Sequence, residues 1–457
     1  MLTQNAFESS LRQLLSADME PPPLLAVSGG VDSVVLLQLY ACTGRPGIVV
    51  HCNFQLRGAA SDGDEQWVRE LAAQLGFPFL SITFDTKEYA QREGVSIQMA
   101  ARTLRYNWFS TLQKEGKAGG VITAHHLNDS VETFLINASR STGLRGLTGI
   151  APLSERDNRG LTIWRPLLKF SRAQIEACAL IAQWTWREDE SNAKDDYLRN
   201  YLRHHVVPAW QQAQPALLSS MSHSMQLLRE TEANYRFLLQ KLLPLKVAGQ
   251  GRHSIDIATL MTLPSPAPAL WELLRDYGFD AEQTRQMVAC ADKPGTIFES
   301  EQGARLLIDR RSYFLELAST GVIPPPVLIE QDDLMVRLPD GGRIMLIPVP
   351  QGSPFPDGKL HILVDKGRLK YPVSVRNWQP GDVFQPLGMN GKRRKLQDFF
   401  TDLKMNRFEK EQIKLLVNGD NEIVWIMGIR PDERFKVVPE STDLVKISWI
   451  PPDAVRN

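Results

Sequence analysis

Six residues set the first chemical question: Ser28-Gly29-Gly30-Val31-Asp32-Ser33, directly after an apolar run at 24–27 and at the head of a Val- and Leu-rich helical pattern at 31–40. Adjacent glycines let backbone N–H groups approach an oxyanion with no Cβ in the way, and a helix N-terminus adds partial positive charge. Ser28 and Ser33 bring hydroxyl donors, so the loop suits phosphate; the plain alternative is a strand-to-helix turn capped by Asp32 or Ser33. It is neither a G-x-x-x-x-G-K-[ST] loop nor a G-x-G-x-x-G fingerprint. Three further sets of residues could serve the same chemistry. His51-Cys52-Asn53-Phe54-Gln55-Leu56-Arg57-Gly58 ends a second apolar run, where an aromatic ring and amides suit adenine. Arg102 and Arg105, three apart, share one helix face that could turn toward phosphate. His126, Asp129 and Glu132 follow one another at i, i+3 spacing, where the acids could hold magnesium or take a proton from an incoming amine. Asp32 and Asp129 are the carboxylates expected at magnesium. The bland readings are a buried Phe54, a solvated arginine face, and capping by Asn128 or Asp129.

These residues need a scaffold that brings strand ends together. Short β-rich runs at 24–27, 47–52, 79–84 and 120–124 alternate with helical patterns at 31–40, 64–75, 96–114 and 128–139. That is the rhythm of βαβ units, so the connections are crossovers and the sheet is doubly wound and mostly parallel. Ligands in such a sheet sit beyond the carboxyl ends of the strands, where these loops fall. Helical periods dominate from 211 to 292, with no β-rich run recognised there, and predict a small helical domain. The run Val322-Ile323-Pro324-Pro325-Pro326 cannot continue a helix, and β-rich runs with Pro-Gly and Asp-Gly turns follow it. The expected domains are 1–212, 213–322 and 323–457, the last mixed but β-rich.

Composition limits the function classes. The chain has 457 residues, 43% apolar and 23% charged, which suits several packed domains rather than disorder. Its 52 Lys and Arg balance 52 Asp and Glu, so any nucleic-acid surface is local. Cys42, Cys52, Cys178 and Cys290 form no C-x-x-C pair, which argues against a disulfide framework, structural zinc or an iron–sulfur cluster. His125, His126 and Asp129 lack a thiolate partner for zinc. With no basic-then-apolar leader and no apolar stretch near the roughly 20 residues that span a bilayer, a cytoplasmic protein with no membrane partner is expected.

The hexapeptide resembles the S-G-G-x-D-S signature of the PP-loop ATP pyrophosphatases, which implies ATP as co-substrate, cleaved to AMP and pyrophosphate, with Mg2+. A longer series narrows this. It comprises the His51 to Gly58 segment, the His125 to Thr133 segment, Arg165-Pro166-Leu167-Leu168, Arg172, Ile175-Glu176, Glu188-Asp189-Glu190-Ser191-Asn192 and Tyr197-Leu198-Arg199-Asn200-Tyr201-Leu202-Arg203-His204. Together these resemble the bacterial tRNA(Ile)-lysidine synthases. The likeness is strong over 28–205 and resumes in Val375-Arg376-Asn377-Trp378-Gln379-Pro380-Gly381-Asp382, Pro386-Leu387-Gly388-Met389 and Lys395-Leu396-Gln397-Asp398-Phe399-Phe400, while the middle matches by position only. One departure is Asn128, where the family has the first of two acids.

The resemblance implies that the ε-amine of free L-lysine replaces the C2 oxygen of the wobble cytidine in tRNA(Ile) with a CAU anticodon, after ATP adenylates that oxygen. It implies catalytic roles for Asp129, His126 and Glu132, with Asp129 foremost. ATP contacts fall to Ser28, Gly29, Gly30, Val31, Asp32, Ser33, His51, Asn53, Phe54, Arg102 and Arg105. Lysine or tRNA contacts fall to Arg165, Glu188, Asp189, Arg199, Asn200 and Arg203, and to the basic run Lys392-Arg393-Arg394-Lys395, whose plain reading is a solvated loop. A homodimer is compatible with it. The rivals are a tRNA thiolase, for which Cys52 is the nearest thiol, an amidotransferase, which lacks its N-terminal cysteine, and a non-catalytic nucleotide-binding module.

Overall fold

The computed structural model describes residues 1–16, 19–140, 142–155, 159–187, 198–248, 252–317, 324–389 and 391–452. The chain divides into two compact units, Met1–Tyr235 and Arg236–Asn457. The break falls inside a long helix, Leu217–Leu242.

Strands β1 (Leu24–Ala26), β2 (Ile48–Asn53), β3 (Phe79–Thr83), β4 (Val121–Ile122), β5 (Leu153–Ser154) and β6 (Ile163–Trp164) form the sheet of the first unit. Their order is β3-β2-β1-β4-β6-β5, and every pair is parallel except β5 with β6. The order reverses direction between β1 and β4, so the loops after these strands open into one crevice. Strand residues alternate between two cores because successive side chains point to opposite faces. Leu25, Val27, Val49, Ile122 and Trp164 pack with helices α1 (Gln4–Arg12), α2 (Val31–Ala41), α3 (Ala59–Gln74) and, further along the chain, the helix Arg172–Ile181. Leu24, Val50, Val121 and Ile163 pack with Tyr106, Phe109 and Leu112. Those three lie on α5 (Ile97–Lys114), which follows α4 (Thr86–Glu93). Both faces are therefore covered, as a doubly wound sheet requires.

Helix α2 is buried nearly all round, with Val31, Val34, Val35, Leu36, Leu37, Leu39 and Tyr40 in the core. A helix apolar on every side belongs inside, so the loop that opens it rests on the most enclosed element of the unit. Each such leucine contributes about 1.5–3 kcal/mol through burial. Helix α6 (Leu127–Ser139) follows β4, and Leu127 and Val131 pack against Val207, Leu217 and Met225. Helix α7 is Arg172–Ile181, α8 is Leu198–Tyr201, and a π-helical turn at Leu202–Val206 joins α8 to α9 (Val207–Ala213).

The second unit differs from the expectation in one respect. Helices Pro266–Leu274 and Ala281–Ala289 are present, but the segment also carries a five-stranded antiparallel sheet. Its strands include Arg252–Asp256, Ile297–Glu299, Arg305–Ile308 and Ser312–Glu316. Arg252–Asp256 buries only Arg252 and Ile255 and Ile297–Glu299 has three residues, so neither shows a long apolar alternation along the chain. Leu239, Ile255, Leu270, Leu306 and Tyr313 share its core. Beyond Pro324, two antiparallel sheets of five and four strands enclose a second core around Ile344, Val375, Trp425 and Ile447. Among the described residues, no helix is long and apolar enough to cross a membrane.

Candidate active site

The phosphate loop is tied to its own helix. Ser33 Oγ accepts from Ser28 N at 3.1 Å and Gly29 N at 3.2 Å, and donates to Gly30 O at 2.9 Å. Gly29 has φ +97°, which strains any side chain, whereas an added Cβ would make only an ordinary 3.6 Å contact with Val68. The requirement for glycine is thus conformational rather than steric. Gly30 is the N-cap and makes no side-chain capping bond, leaving the first-turn N–H groups of α2 to a ligand. Arg187 N donates to Gly29 O at 3.0 Å and so braces the loop from a distant segment.

Two cavities meet at this loop and share Ser28, Asp32, Ser33 and Asp129. The smaller, about 260 Å³, has an apolar and aromatic wall of Val50, Cys52, Phe54, Tyr106 and Phe109, with Arg105 beside them. Phe54 stacks on Phe84 at 5.9 Å, and the Arg105 guanidinium lies 5.2 Å from the Phe54 ring centre. The larger, about 580 Å³, is lined by charge: Arg57, Asp64, Arg172, Glu176, Arg187 and Arg203, with Trp186 at its wall. Arg102 lines neither cavity and sits 4.9 Å over the Tyr106 ring.

His51 and Asn53 are buried and line neither cavity. His51 Nδ1 donates to Val27 O at 2.9 Å, and burial lowers its ring below the ordinary value. Asn53 donates to Asp62 at 2.8 Å and Glu65 at 3.2 Å and accepts from Gln55 N at 3.1 Å, which shapes the turn that presents Phe54. Burial pushes the Cys52 thiol up to about 12, so it stays protonated at neutral pH.

The acids sit on the first turns of α6. His126 is the N-cap: its Nδ1 accepts from Asp129 N at 3.4 Å while Asp129 Oδ2 accepts from His126 N at 3.0 Å, a reciprocal capping box. With Nδ1 accepting, the ring proton is assigned to Nε2, which lies 3.4 Å from Asp129 Oδ2 and 3.7 Å from Asp32 Oδ2. Asp129 Oδ1 accepts from Arg199 and Arg203, both at 3.1 Å. Glu132, only 1% exposed, accepts from Arg199 Nε at 2.7 Å and Arg203 Nε at 2.8 Å. Glu132 lines neither cavity. It holds onto the same two arginines that reach Asp129.

Burial alone would raise the Asp129 carboxyl, but His126, His125, Arg199 and the His126 N–H together outweigh it and hold Asp129 below the usual carboxylate range. Asp32 goes the other way: burial raises it despite His126 and Arg172. Asp32 Oδ1 is buried and accepts no hydrogen bond among the described residues. His125 Nδ1 bonds Thr123 Oγ1 at 2.8 Å, and burial moves its ring well below the ordinary value against the pull of Asp129. Among the described residues, no group of three or more His, Cys, Asp or Glu side chains is arranged around a metal position.

The remaining sequence candidates separate. Arg165 is buried and donates through Nη1 to Ala151 O at 2.8 Å and Ser154 Oγ at 2.9 Å, a structural tie to β5 and the residues before it. Glu188 and Asp189 lie outside the described residues. Asn200 lies on α8 between Arg199 and Tyr201. Asn128 Oδ1 accepts from Arg172 N at 3.0 Å, which links α6 to the start of α7. An amide oxygen accepts this bond as well as a carboxylate would. Lys392, Arg393 and Lys395 are exposed in the second unit, while Arg394 pairs with Asp402 and lies 5.7 Å from the Phe399 ring.

Asp64, Arg172 and Glu176 are among the lining residues to which sequence assigned no role. Asp64 receives Arg57 at 2.6 Å and Arg187, so it joins the β2 loop to the segment that braces Gly29. Arg172 and Glu176 pair at 2.9 Å along one face of α7. The charged residues Asp62, Asp64 and Glu65 at the head of α3 were the available signal for the first of these.

A PP-loop domain model matches residues 3–210, a TilS substrate binding domain model 248–318, and a TilS substrate C-terminal domain model 373–449. The tRNA(Ile)-lysidine synthase of Parabacteroides distasonis is 37% identical over 441 residues, covering 95% of this chain and 96% of its own. That of Porphyromonas gingivalis is 35% identical over 422 residues, 91% of each chain. That of Bacteroides thetaiotaomicron is 33% identical over 418 residues, 91% of this chain and 92% of its own. Because this likeness runs through the phosphate-loop, middle and C-terminal segments alike, the chain belongs to the tRNA(Ile)-lysidine synthase family.

Proposed function

We propose that this chain is a carbon–nitrogen ligase of the cytoplasm that joins the ε-amine of free lysine to C2 of the wobble cytidine of tRNA(Ile) with a CAU anticodon, changing its decoding from AUG to AUA. The observation that carries the reading is the meeting of an aromatic cavity and a charged cavity at Ser28, Asp32, Ser33 and Asp129. Adenosine fits the Phe54 and Arg105 side and the polyphosphate fits the Gly29 and Gly30 side, with the α-phosphorus at the junction. In the first step the cytidine O2 attacks that phosphorus, the bond to the β-phosphate oxygen breaks, and pyrophosphate leaves toward the N-terminus of α2. In the second, the lysine nitrogen attacks C2, the C2–O bond breaks, and AMP leaves.

The amine must lose a proton, and its ordinary pKa is about 10.4. A carboxylate held as low as Asp129 cannot remove that proton beforehand, so it orients the amine and accepts the proton as the C–N bond forms and the nitrogen turns acidic. His126 fixes Asp129 through the capping box, and Glu132 fixes Arg199 and Arg203 beside it.

Magnesium fits Asp32 better than Asp129, since Asp32 Oδ1 has no partner among the described residues while both Asp129 oxygens already accept donors. Bound there with phosphate oxygens and water, it would neutralise polyphosphate charge. The segments 213–322 and 323–457 are assigned to tRNA binding, with Lys392, Arg393 and Lys395 as phosphate contacts.

The test is incubation with ATP, magnesium, labelled lysine and an unmodified tRNA(Ile) transcript bearing CAU. AMP release together with lysine in the RNA is the expected result. AMP formed only with another acceptor would refute the substrate, and ATP binding without AMP under any condition would refute catalysis. Sedimentation velocity decides between a monomer and a homodimer.

A further inference from the structure

The larger cavity contains more than a phosphate cradle. Its α7 wall presents Arg172, Glu176 and Leu180 at i, i+4, i+8 spacing, hence on one helix face, with Trp186 beside them. Arg172 starts this wall next to the acids: its N–H is held by Asn128, the residue before Asp129, and its charge acts on Asp32. Glu176 lies one turn farther out and Leu180 another. Arg172 and Glu176 pair with each other at 2.9 Å, yet their side chains are 36% and 44% exposed. A pair this exposed contributes little to stability, so another partner can displace it easily.

The cavity's charges are also balanced rather than uniformly basic. Arg57 and Arg187 meet Asp64, Arg203 meets Asp129, and Arg172 meets Glu176. Asp32 already supplies the carboxylate assigned to magnesium, so Glu176, farther out on the α7 face that lines the cavity, is an acid that a polyphosphate wall does not require. A free α-amino acid, by contrast, offers a carboxylate and an ammonium on one carbon, which needs a cation and an anion one helical turn apart.

We infer that Arg172 and Glu176 form the head-group subsite for the amino-acid substrate, Arg172 taking the α-carboxylate and Glu176 the α-ammonium, with the side-chain amine directed toward Asp129. The assignment rests on the lysine-ligase reading above and deepens it. It divides recognition from chemistry: α7 reads the end of the substrate that does not react, and α6 handles the end that does.

The test uses the full chain with ATP and CAU-bearing tRNA(Ile), and three amines: lysine, 1,5-diaminopentane, which lacks the carboxylate, and 6-aminohexanoic acid, which lacks the α-ammonium. Relative kcat/KM is measured for the natural protein, Glu176→Gln and Arg172→Gln. Glu176→Gln should lose its preference for lysine over 6-aminohexanoic acid by about 10-fold or more, and Arg172→Gln its preference over 1,5-diaminopentane by a similar factor, each keeping the other preference. Ratios that stay unchanged while all three amines slow alike, or a rise in KM for ATP alone, would overturn the assignment and make the pair a structural or phosphate contact. Failure of the natural protein to transfer lysine while still releasing AMP would refute the ligase reading and the subsite with it, a pattern distinct from unchanged ratios.

Discussion

The acid cluster on α6 and the basic run at 392–395 both involve arginines that sequence marked as substrate or RNA contacts, but their surroundings differ. Arg199 and Arg203 are 37% and 25% exposed and close onto carboxylates that are 13% and 1% exposed, so their charge is neutralised inside the protein. Lys392, Arg393 and Lys395 are exposed, and only Arg394 of that run pairs with an acid, Asp402, among the described residues. A cation locked onto a buried acid sets the geometry and proton affinity of that acid. A solvated cation is open to a diffusing polyanion and to salt. Both places carry cations, and what surrounds each cation decides its role.

The sharpest way to break this comparison is Asp129→Asn. Turnover should fall about 10²- to 10⁴-fold while tRNA affinity, measured by filter binding, stays within about twofold. Equal losses in both would mean that the α6 cluster holds RNA rather than running chemistry. Next in size is Glu132→Gln, which leaves two arginines facing a neutral amide. Because those arginines are part-exposed, the loss should fall below the roughly 3–5 kcal/mol of a fully buried broken pair, at about 2 kcal/mol in urea unfolding. A stability change near zero would show that Glu132 does not hold the arginines.

Phe54→Ala removes the aromatic wall of the smaller cavity and should raise KM for ATP about 10-fold with little change for lysine, read from initial rates. An unaltered KM would place adenine elsewhere. His125 gives a smaller, pH-dependent effect. Its folded value lies below the ordinary imidazole value of about 6.5, so below that pH the unfolded chain binds a proton that the folded chain refuses. Stability is therefore lost as pH falls below about 6.5, by at most about 1.4 kcal/mol per pH unit from this group. In His125→Gln that part of the acid slope should vanish, as followed by thermal unfolding at stepped pH. The smallest single effects belong to the basic run. Lys392→Ala or Arg393→Ala should weaken tRNA binding only a few-fold, and removing one phosphate-binding charge should lower the salt slope by about 1. A salt slope that does not move would remove the run from the RNA surface.

How much was legible depended on the range of the interaction. The βαβ rhythm, the loop between β1 and α2, and the helix that carries Asp129 and Glu132 are local, and the structure carries them close to the expected bounds. The two strands Arg252–Asp256 and Ile297–Glu299 were not legible, since they are short, part-exposed and held in place by pairing with the better-buried Ser312–Glu316 and Arg305–Ile308.

Sequence by itself determined the chemistry on offer here: a glycine-rich turn able to receive phosphate, acids at helical spacing, and a run of motifs peculiar enough to suggest one family. Only the tertiary structure decided which charges meet. Arg199 and Arg203 reach Glu132 across 67 and 71 residues, and Arg187 reaches Asp64 across 123. No local spacing encodes such a pair, because its energy depends on the burial and distance that the packed sheet and helices create.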